Sequence, residues 1–182
     1  MDIIYCLVGP SGSGKTTIAK ILHEEKYNVI LSYTTRAPRE PGEWGHTFQT
    51  APYVQPKDVI AYNEFNGHHY WAVRNQFEGK GISIYIIDPP GDSQLRKAVD
   101  CPVVTIFLRI GRETALHRMD IERGREKALE RVEHDRGVFA SVKADWVVDA
   151  DRPIPEVLDD ILGIIGGNYA TSKIVGADSG GQ

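Results

Sequence analysis

The segment Gly9-Pro10-Ser11-Gly12-Ser13-Gly14-Lys15-Thr16-Thr17 follows an apolar run, Ile3 to Val8, and precedes a stretch with Ile18, Ile21 and Leu22 at helical spacing. Gly9 to Thr16 fits G-x-x-x-x-G-K-[ST], a pattern that carries weight when a strand leads into it and a helix leads out. Glycines let the backbone curl so that successive N–H groups turn inward toward phosphate oxygens. The helix that follows points its positive end at the same place. Lys15 adds a point charge for the β- and γ-phosphates, and the Thr16 hydroxyl is a hard oxygen ligand for Mg2+. Gly9 through Thr17 therefore read as a site for a nucleoside triphosphate, ATP with Mg2+. Loops of this kind serve GTPases, motors and kinases alike, so the loop alone does not fix the reaction.

A second phosphate-binding pattern lies in LSYTTRAPREPGEWG, residues 31–45. Arg36 and Arg39 stand three apart, after the hydroxyls of Ser32, Tyr33, Thr34 and Thr35. Guanidinium forks suit bidentate phosphate recognition, and hydroxyls fill the acceptor positions that remain. Two phosphate sites imply transfer between two bound phosphorylated molecules. Such transfer needs in-line positioning and charge neutralisation rather than a covalent enzyme group. Seven arginines from Arg109 to Arg136 could supply the charge, with Gly124 as a break between two helical halves. Acidic residues are interleaved with them, so any single arginine could equally form a solvated surface pair.

The elements that must position these groups alternate. Strand-like runs occur at Ile3 to Val8, at residues 28–35 (NVILSYTT), at Gly81 to Asp88, at Pro102 to Ile110 and at residues 145–150. Helical patterns occupy residues 15–25, 93–99, 113–142 with the break at Gly124, and 156–165 behind Pro153 and Pro155. Residues 45–79 show no clear period. The pattern predicts an α/β fold, a three-layer sandwich around a central parallel sheet, with the irregular stretch inserted at its carboxyl edge. A single domain over residues 1–170 would comprise a core (1–35 and 81–170), an acceptor-binding insertion (36–80) and a helical lid (118–131). The glycine-rich tail, 171–182, is expected to be disordered. The chain has 182 residues, a net charge of −4 and a pI near 5.9, which disfavours nucleic acid as a partner. Cys6 and Cys101 read as buried free thiols of a reducing cytosol. No run is long enough to span a bilayer, and Asp2 stands where a signal peptide would be basic. A cytoplasmic monomer or homodimer is expected.

Over roughly residues 3–166 the sequence resembles the guanylate kinase family of nucleoside monophosphate kinases. The resemblance is carried by GPSGSGKTT, SYTTRAPREPGE, FNGHHYWAV, DPPGDSQLRK and ERGREKALERV, the second being the most particular. It implies that Ser32, Arg36, Arg39 and Tyr70 grip the phosphate of an acceptor monophosphate. It places Asp88 in the acidic magnesium and acceptor region. It implies that Arg118, Arg123 and Arg131 lie on a mobile lid that closes over the phosphates beside Lys15. The implied reaction is ATP-dependent phosphorylation of a nucleoside monophosphate, GMP or dGMP first.

The sequence departs from that pattern where the acceptor base is read. The family's glutamate and serine fall here at Ala61 and Ala72, which cannot hydrogen-bond a base. Glu64 or Asn63 could substitute in a shifted loop. A tyrosine that contacts the acceptor phosphate falls near Phe48, and Trp44 could stack on a base or simply pack. The family's D-x-D is reduced to Asp88 followed by two prolines. These departures keep two other acceptors open, ribose 1,5-bisphosphate or a relaxed set of monophosphates. A non-catalytic binding module of the same fold is a further alternative, against which Lys15, Thr16, Arg36 and Arg39 are all retained. Adjacent His68 and His69 point opposite ways on an extended chain, which argues against a metal site there.

Overall fold

A computed structural model describes residues 1–140 and 142–167. In chain order the elements are β1 (Ile3–Val8), α1 (Lys15–Glu24), β2 (Asn28–Ile30), β3 (Ser32–Thr34), β4 (His46–Phe48), β5 (Val59–Phe65), β6 (His68–Val73), a 3-10 turn (Arg74–Gln76) and β7 (Ile82–Ile86). There follow α2 (Pro89–Ala98), β8 (Val103–Arg109), α3 (Arg112–Arg123), α4 (Arg125–Val138), β9 (Trp146–Asp149) and α5 (Ile154–Ile165). The predicted α/β architecture is what forms: a five-stranded parallel sheet in the order β2-β7-β1-β8-β9, flanked by helices. The tail 171–182 lies outside the described residues.

The chain divides into two compact units. The first comprises residues 1–8 and 15–103. Its core rests on β1, whose Ile4, Cys6, Leu7 and Val8 are completely buried. Burial of consecutive residues on both faces is what a continuous apolar run signals. Helix α1 buries Ile18, Ala19 and Leu22 along one stripe.

Four expectations for this unit are corrected. The run 28–35 is not one strand: β2 pairs with β7 in the parallel sheet, whereas β3 pairs with β4 and β6 in a second sheet, ordered β4-β3-β6-β5. The chain changes sheet at Leu31, whose carbonyl accepts the Gln76 side-chain amide at 2.7 Å. Residues 45–79 contain β4, β5 and β6 rather than irregular chain. A register shift between Val59 and Ala61 breaks the two-residue alternation that would have revealed β5. Helix α2 begins at Pro89 rather than Ser93, because Asp88 caps it and the prolines occupy its first turn, where their missing N–H groups cost nothing. Cys6 is buried, but Cys101 is only partly so and precedes β8; both are free thiols.

One face of the second sheet is aromatic. Tyr33 stacks on Trp71 (centroids 5.5 Å apart), and Tyr53 stacks on His69 at 4.4 Å while meeting Trp71 edge-on. The Tyr62 hydroxyl lies 2.8 Å from His69 Nδ1. His69 is thus part of a packed aromatic layer.

The second unit, residues 9–14 and 104 onward, contains α3, α4, β9 and α5. As the sequence predicts, α3 and α4 meet at Gly124, with φ +84°. Ala115 and Met119 from α3 pack with Ala128 and Val132 from α4. Helix α5 buries Val157, Ile161, Ile164 and Ile165, with Pro155 in its first turn. Among the described residues no helix is long and apolar enough to cross a membrane.

The β5–β6 hairpin turns through Asn66 (φ +52°) and Gly67 (φ +73°), the residues such two-residue turns require. Gly67→Val is expected to cost about 1–2 kcal/mol in urea unfolding, because a branched residue disfavours the left-handed region. Unchanged stability would contradict this hairpin geometry.

Candidate functional site

In the second unit, the Ser13 N–H donates to the Pro10 carbonyl at 3.2 Å, tightening the loop, and Ser13 is fully buried. A Cβ on Gly9 would stand 2.7 Å from the Leu108 carbonyl oxygen, so no side chain fits there. Gly12 (φ +79°) and Gly14 (φ +89°) take conformations that favour glycine. Two of the predicted arginines reach this loop. Arg118 Nη1 donates to the Gly12 carbonyl at 3.1 Å, and Arg131 Nε donates to Ser11 Oγ at 2.9 Å. The Asp135 carboxylate accepts the Ser11 backbone N–H at 2.7 Å. Arg112 and Arg125 make exposed pairs with Glu133 and Asp120 instead, the surface role open to any arginine in this run. Arg123 ends α3, and its side chain lies outside the described residues.

In the first unit, Lys15, Thr16 and Thr17 open α1, with both threonines exposed. Strands β1 and β7 are parallel neighbours, Leu7 opposite Ile86, and Ile87 N–H donates to the Leu7 carbonyl. Asp88 therefore emerges at the carboxyl edge where β1 ends, the edge at which open α/β sheets bind ligands. Its Oδ1 accepts the Gly91 N–H at 2.7 Å and its Oδ2 accepts the Asn63 amide at 2.6 Å. The carboxylate is thus fixed in orientation, each oxygen retaining a lone pair.

The segment between β3 and β4 builds a cationic cradle. Arg36 holds Glu43 bidentately, Nη2 to Oε1 at 2.7 Å and Nη1 to Oε2 at 3.1 Å. The Arg39 backbone N–H adds a bond to Glu43 Oε2 at 2.6 Å. The Arg36 guanidinium lies 5.3 Å from the Phe48 ring centroid, and the nearby Tyr70 helps to keep it charged. The bond to Arg36 is the main reason the Glu43 carboxyl drops to about 2, against the upward push of burial. The same bond raises the Arg36 guanidinium. Burial, followed by the Arg36 charge, lowers the His46 imidazole. Arg36 Nε and His46 Nδ1 are buried and lack a hydrogen-bond partner among the described residues. Ser32 Oγ lies 3.0 Å from the Tyr85 hydroxyl, whose pKa burial pushes up although the serine pulls it down. This segment rests against α1: a Cβ on Gly45 would lie 3.8 Å from Thr16 Cγ2, and Trp44 packs 6.1 Å from the His23 ring.

Strand register sorts the base-reading candidates. Asn63 is directly opposite Tyr70, and Tyr70 opposite Thr34, so these three share a face. Ala61 and Ala72, themselves cross-strand partners, lie on that face, buried to 4% and 0% exposure. Glu64 pairs with His69 on the other face and is exposed. The structure brings Asn63, Tyr70 and Asp88 together and leaves Glu64 apart.

The sequence reading gives His46 and Asp135 no role, names Asn63 only as an alternative to Glu64, and includes Glu43 in a motif without assigning it a partner. Glu43 was signalled by its spacing, four residues after Arg39 behind a Pro-Gly turn. Asn63 could be placed only with the strand register known. Nothing in the local sequence marks Asp135 or His46.

A parallel sheet whose first strand runs into G-x-x-x-x-G-K-T and then a helix defines a phosphate-loop α/β protein. The model of the guanylate kinase family matches residues 2–152, and the chain belongs to that family. It is 31% identical over 121 residues to the guanylate kinase of Anaplasma phagocytophilum, covering 59% of this chain and 58% of that one. With the Sphingopyxis alaskensis guanylate kinase it shares 33% identity over 120 residues, 58% of this chain and 54% of the relative. The chain thus spans little more than half the length of these curated relatives. The crystal structure of the Anaplasma phagocytophilum guanylate kinase superposes with a TM-score of 0.59 at 20% identity, over 94% of this chain and 88% of that chain, a likeness of fold.

The Arg36–Glu43 pair gives a pH prediction. With its pKa moved from 4.5 to about 2, Glu43 contributes its full stability above the unfolded value and loses it as pH falls through the folded one. Urea unfolding of the wild type and Glu43→Gln should differ by a constant amount above pH 4.5 and converge toward about pH 2. A difference unchanged at low pH would contradict the ion pair.

Proposed function

We propose that this chain is an ATP- and Mg2+-dependent phosphotransferase that converts a nucleoside monophosphate, GMP or dGMP, to the diphosphate. The observation that carries the reading is the Arg36 cradle, a second cationic site packed on the helix that Lys15 and Thr16 open. Arg36 Nε is a buried donor with no hydrogen-bond partner among the described residues, which supports a role toward an oxygen acceptor. Membership of the guanylate kinase family supports the same reading.

In this account the phosphate loop, Gly9 to Thr17, holds ATP. Ser32, Arg36, Arg39 and Tyr70 hold the acceptor phosphate, and an acceptor oxygen attacks the γ-phosphorus as ADP leaves. Glu43 keeps the Arg36 fork still, so the acceptor meets a preorganised charge. Lys15, Arg118, Arg123 and Arg131 neutralise the charge on the moving group. Thr16 and Asp88 suit Mg2+, offering hard oxygens that leave most of its coordination to water and phosphate. When bound, the ion offsets phosphate charge. We place acceptor binding in residues 36–80, closure in a lid over 118–131 and the protein in the cytoplasm. A monomer or homodimer acting on small nucleotides completes the proposal.

One observation favours a second reading. The face beside Tyr70 carries the buried Ala61–Ala72 pair, with Asn63 as the neighbouring polar side chain on its strand. A site that does not hydrogen-bond a base discriminates poorly between bases, or accepts a sugar bisphosphate. The same argument supports Asn63 rather than Glu64 as the polar contact to an acceptor.

ADP formation should be measured with GMP, dGMP, AMP, dAMP, CMP, UMP, dTMP and ribose 1,5-bisphosphate as acceptors. Turnover with GMP or dGMP supports the first reading, and turnover with ribose 1,5-bisphosphate alone moves the assignment to the second. Lys15→Ala is expected to lower kcat by about 100-fold or more without unfolding the protein. Arg39→Ala should raise the acceptor KM about tenfold with a smaller change in kcat. Full activity in Lys15→Ala would overturn the phosphate-loop assignment.

A further inference from the structure

Helix α4 carries a buried carboxylate for which the proposed chemistry has no role. Asp135 has a side-chain exposure of 5%. It lies on the helix's inward stripe with Ala128 and Val132, where an apolar residue would be the cheaper occupant. Its Oδ2 accepts the Ser11 N–H at 2.7 Å. Its Oδ1 lies 3.5 Å from Arg131 Nε and 3.3 Å from His134 Nδ1. Arg131, one turn back on the helix, donates from the same Nε to Ser11 Oγ. Ser11, Arg131 and Asp135 thus form a closed network at the outer turn of the phosphate loop. Burial alone would raise the Asp135 carboxyl. The Ser11 N–H and hydroxyl, with the Arg131 charge, outweigh burial and keep it below the ordinary range.

We infer that Asp135 is a positioning residue: it pins the Ser11 backbone and holds the Arg131 guanidinium against the same residue, so that Arg131 meets the donor phosphates already oriented. The inference rests on the phosphotransfer reading above and assigns to Asp135 no contact with substrate. Asparagine at this position could still accept the Ser11 N–H but would lose the charge that draws Arg131.

Steady-state kinetics of the full chain as wild type, Asp135→Asn, Asp135→Ala, Arg131→Ala and the Arg131→Ala/Asp135→Ala double variant test it. Asp135→Ala is expected to lower kcat about tenfold or more, with the acceptor KM within about twofold, and Asp135→Asn should fall in between. On the Arg131→Ala background the further loss should be less than about twofold, because Asp135 acts through Arg131. Fully multiplicative losses, or an unchanged kcat in folded Asp135→Ala, would overturn the inference. So would tighter ATP binding by that variant, since the carboxylate would then be a stand-in for phosphate.

Hydrogen exchange of the Ser11 amide and ATP affinity provide an arm that does not depend on turnover. Faster exchange and weaker ATP binding in Asp135→Ala, with Ser11 exchange in Asp135→Asn close to that of the wild type, support the latch, and unchanged values in Asp135→Ala overturn it. If the wild type binds ATP but turns over no acceptor, the phosphotransferase reading fails, and this arm alone then decides whether Asp135 pins the loop.

Discussion

In each of the two proposed phosphate sites a carboxylate holds an arginine in place. Glu43 takes both terminal nitrogens of Arg36 and the backbone N–H of Arg39. Asp135 takes the Ser11 N–H and stands beside Arg131. Each carboxylate is largely shielded, and each is held ionised by its partners despite burial. An arginine left to solvent would lose rotamer freedom on meeting its ligand, whereas one already clamped loses little. Removing one partner from such a pair leaves the other buried and uncompensated.

The backbone obeys a related constraint. Phosphate oxygens can approach main-chain N–H groups only where side chains are out of the way. At Gly9 the Leu108 carbonyl leaves no room for a Cβ, and Gly12 and Gly14 adopt left-handed torsions. The five-stranded sheet matters because parallel strands end together. With Leu7 registered on Ile86, the residues just after β7 must appear where β1 ends, which puts Asp88 at that edge. Asp88 then starts α2, fixing its carboxylate by a backbone bond on one side and Asn63 on the other.

Much of this was legible in the sequence because it depends on local chemistry. The apolar run of β1, the glycine loop, the break at Gly124 and the arginine pair in TTRAPR each announce themselves. What escaped depends on register and on partners distant in sequence. The sheet change at Leu31 sits inside a continuous strand-like run. Strand β5 is hidden by the irregularity after Val59, although Asn66-Gly67 is a hairpin signal. The prolines after Asp88 look like a helix barrier and are a helix start. Asp135 is 124 residues from the N–H it accepts, so no window of sequence could pair them. Glu64 is near Asn63 in the chain, yet alternation sends them to opposite faces.

The central claim is that the glycine loop is a preformed receptor for the phosphates of ATP. Calorimetric titration of ATP with Mg2+ into the full chain, repeated with inorganic tripolyphosphate and with adenosine as competitors, tests it most directly. The account predicts one ATP per chain, displaced by tripolyphosphate and not by adenosine. Absence of ATP binding, or displacement by adenosine with no effect of tripolyphosphate, would contradict it.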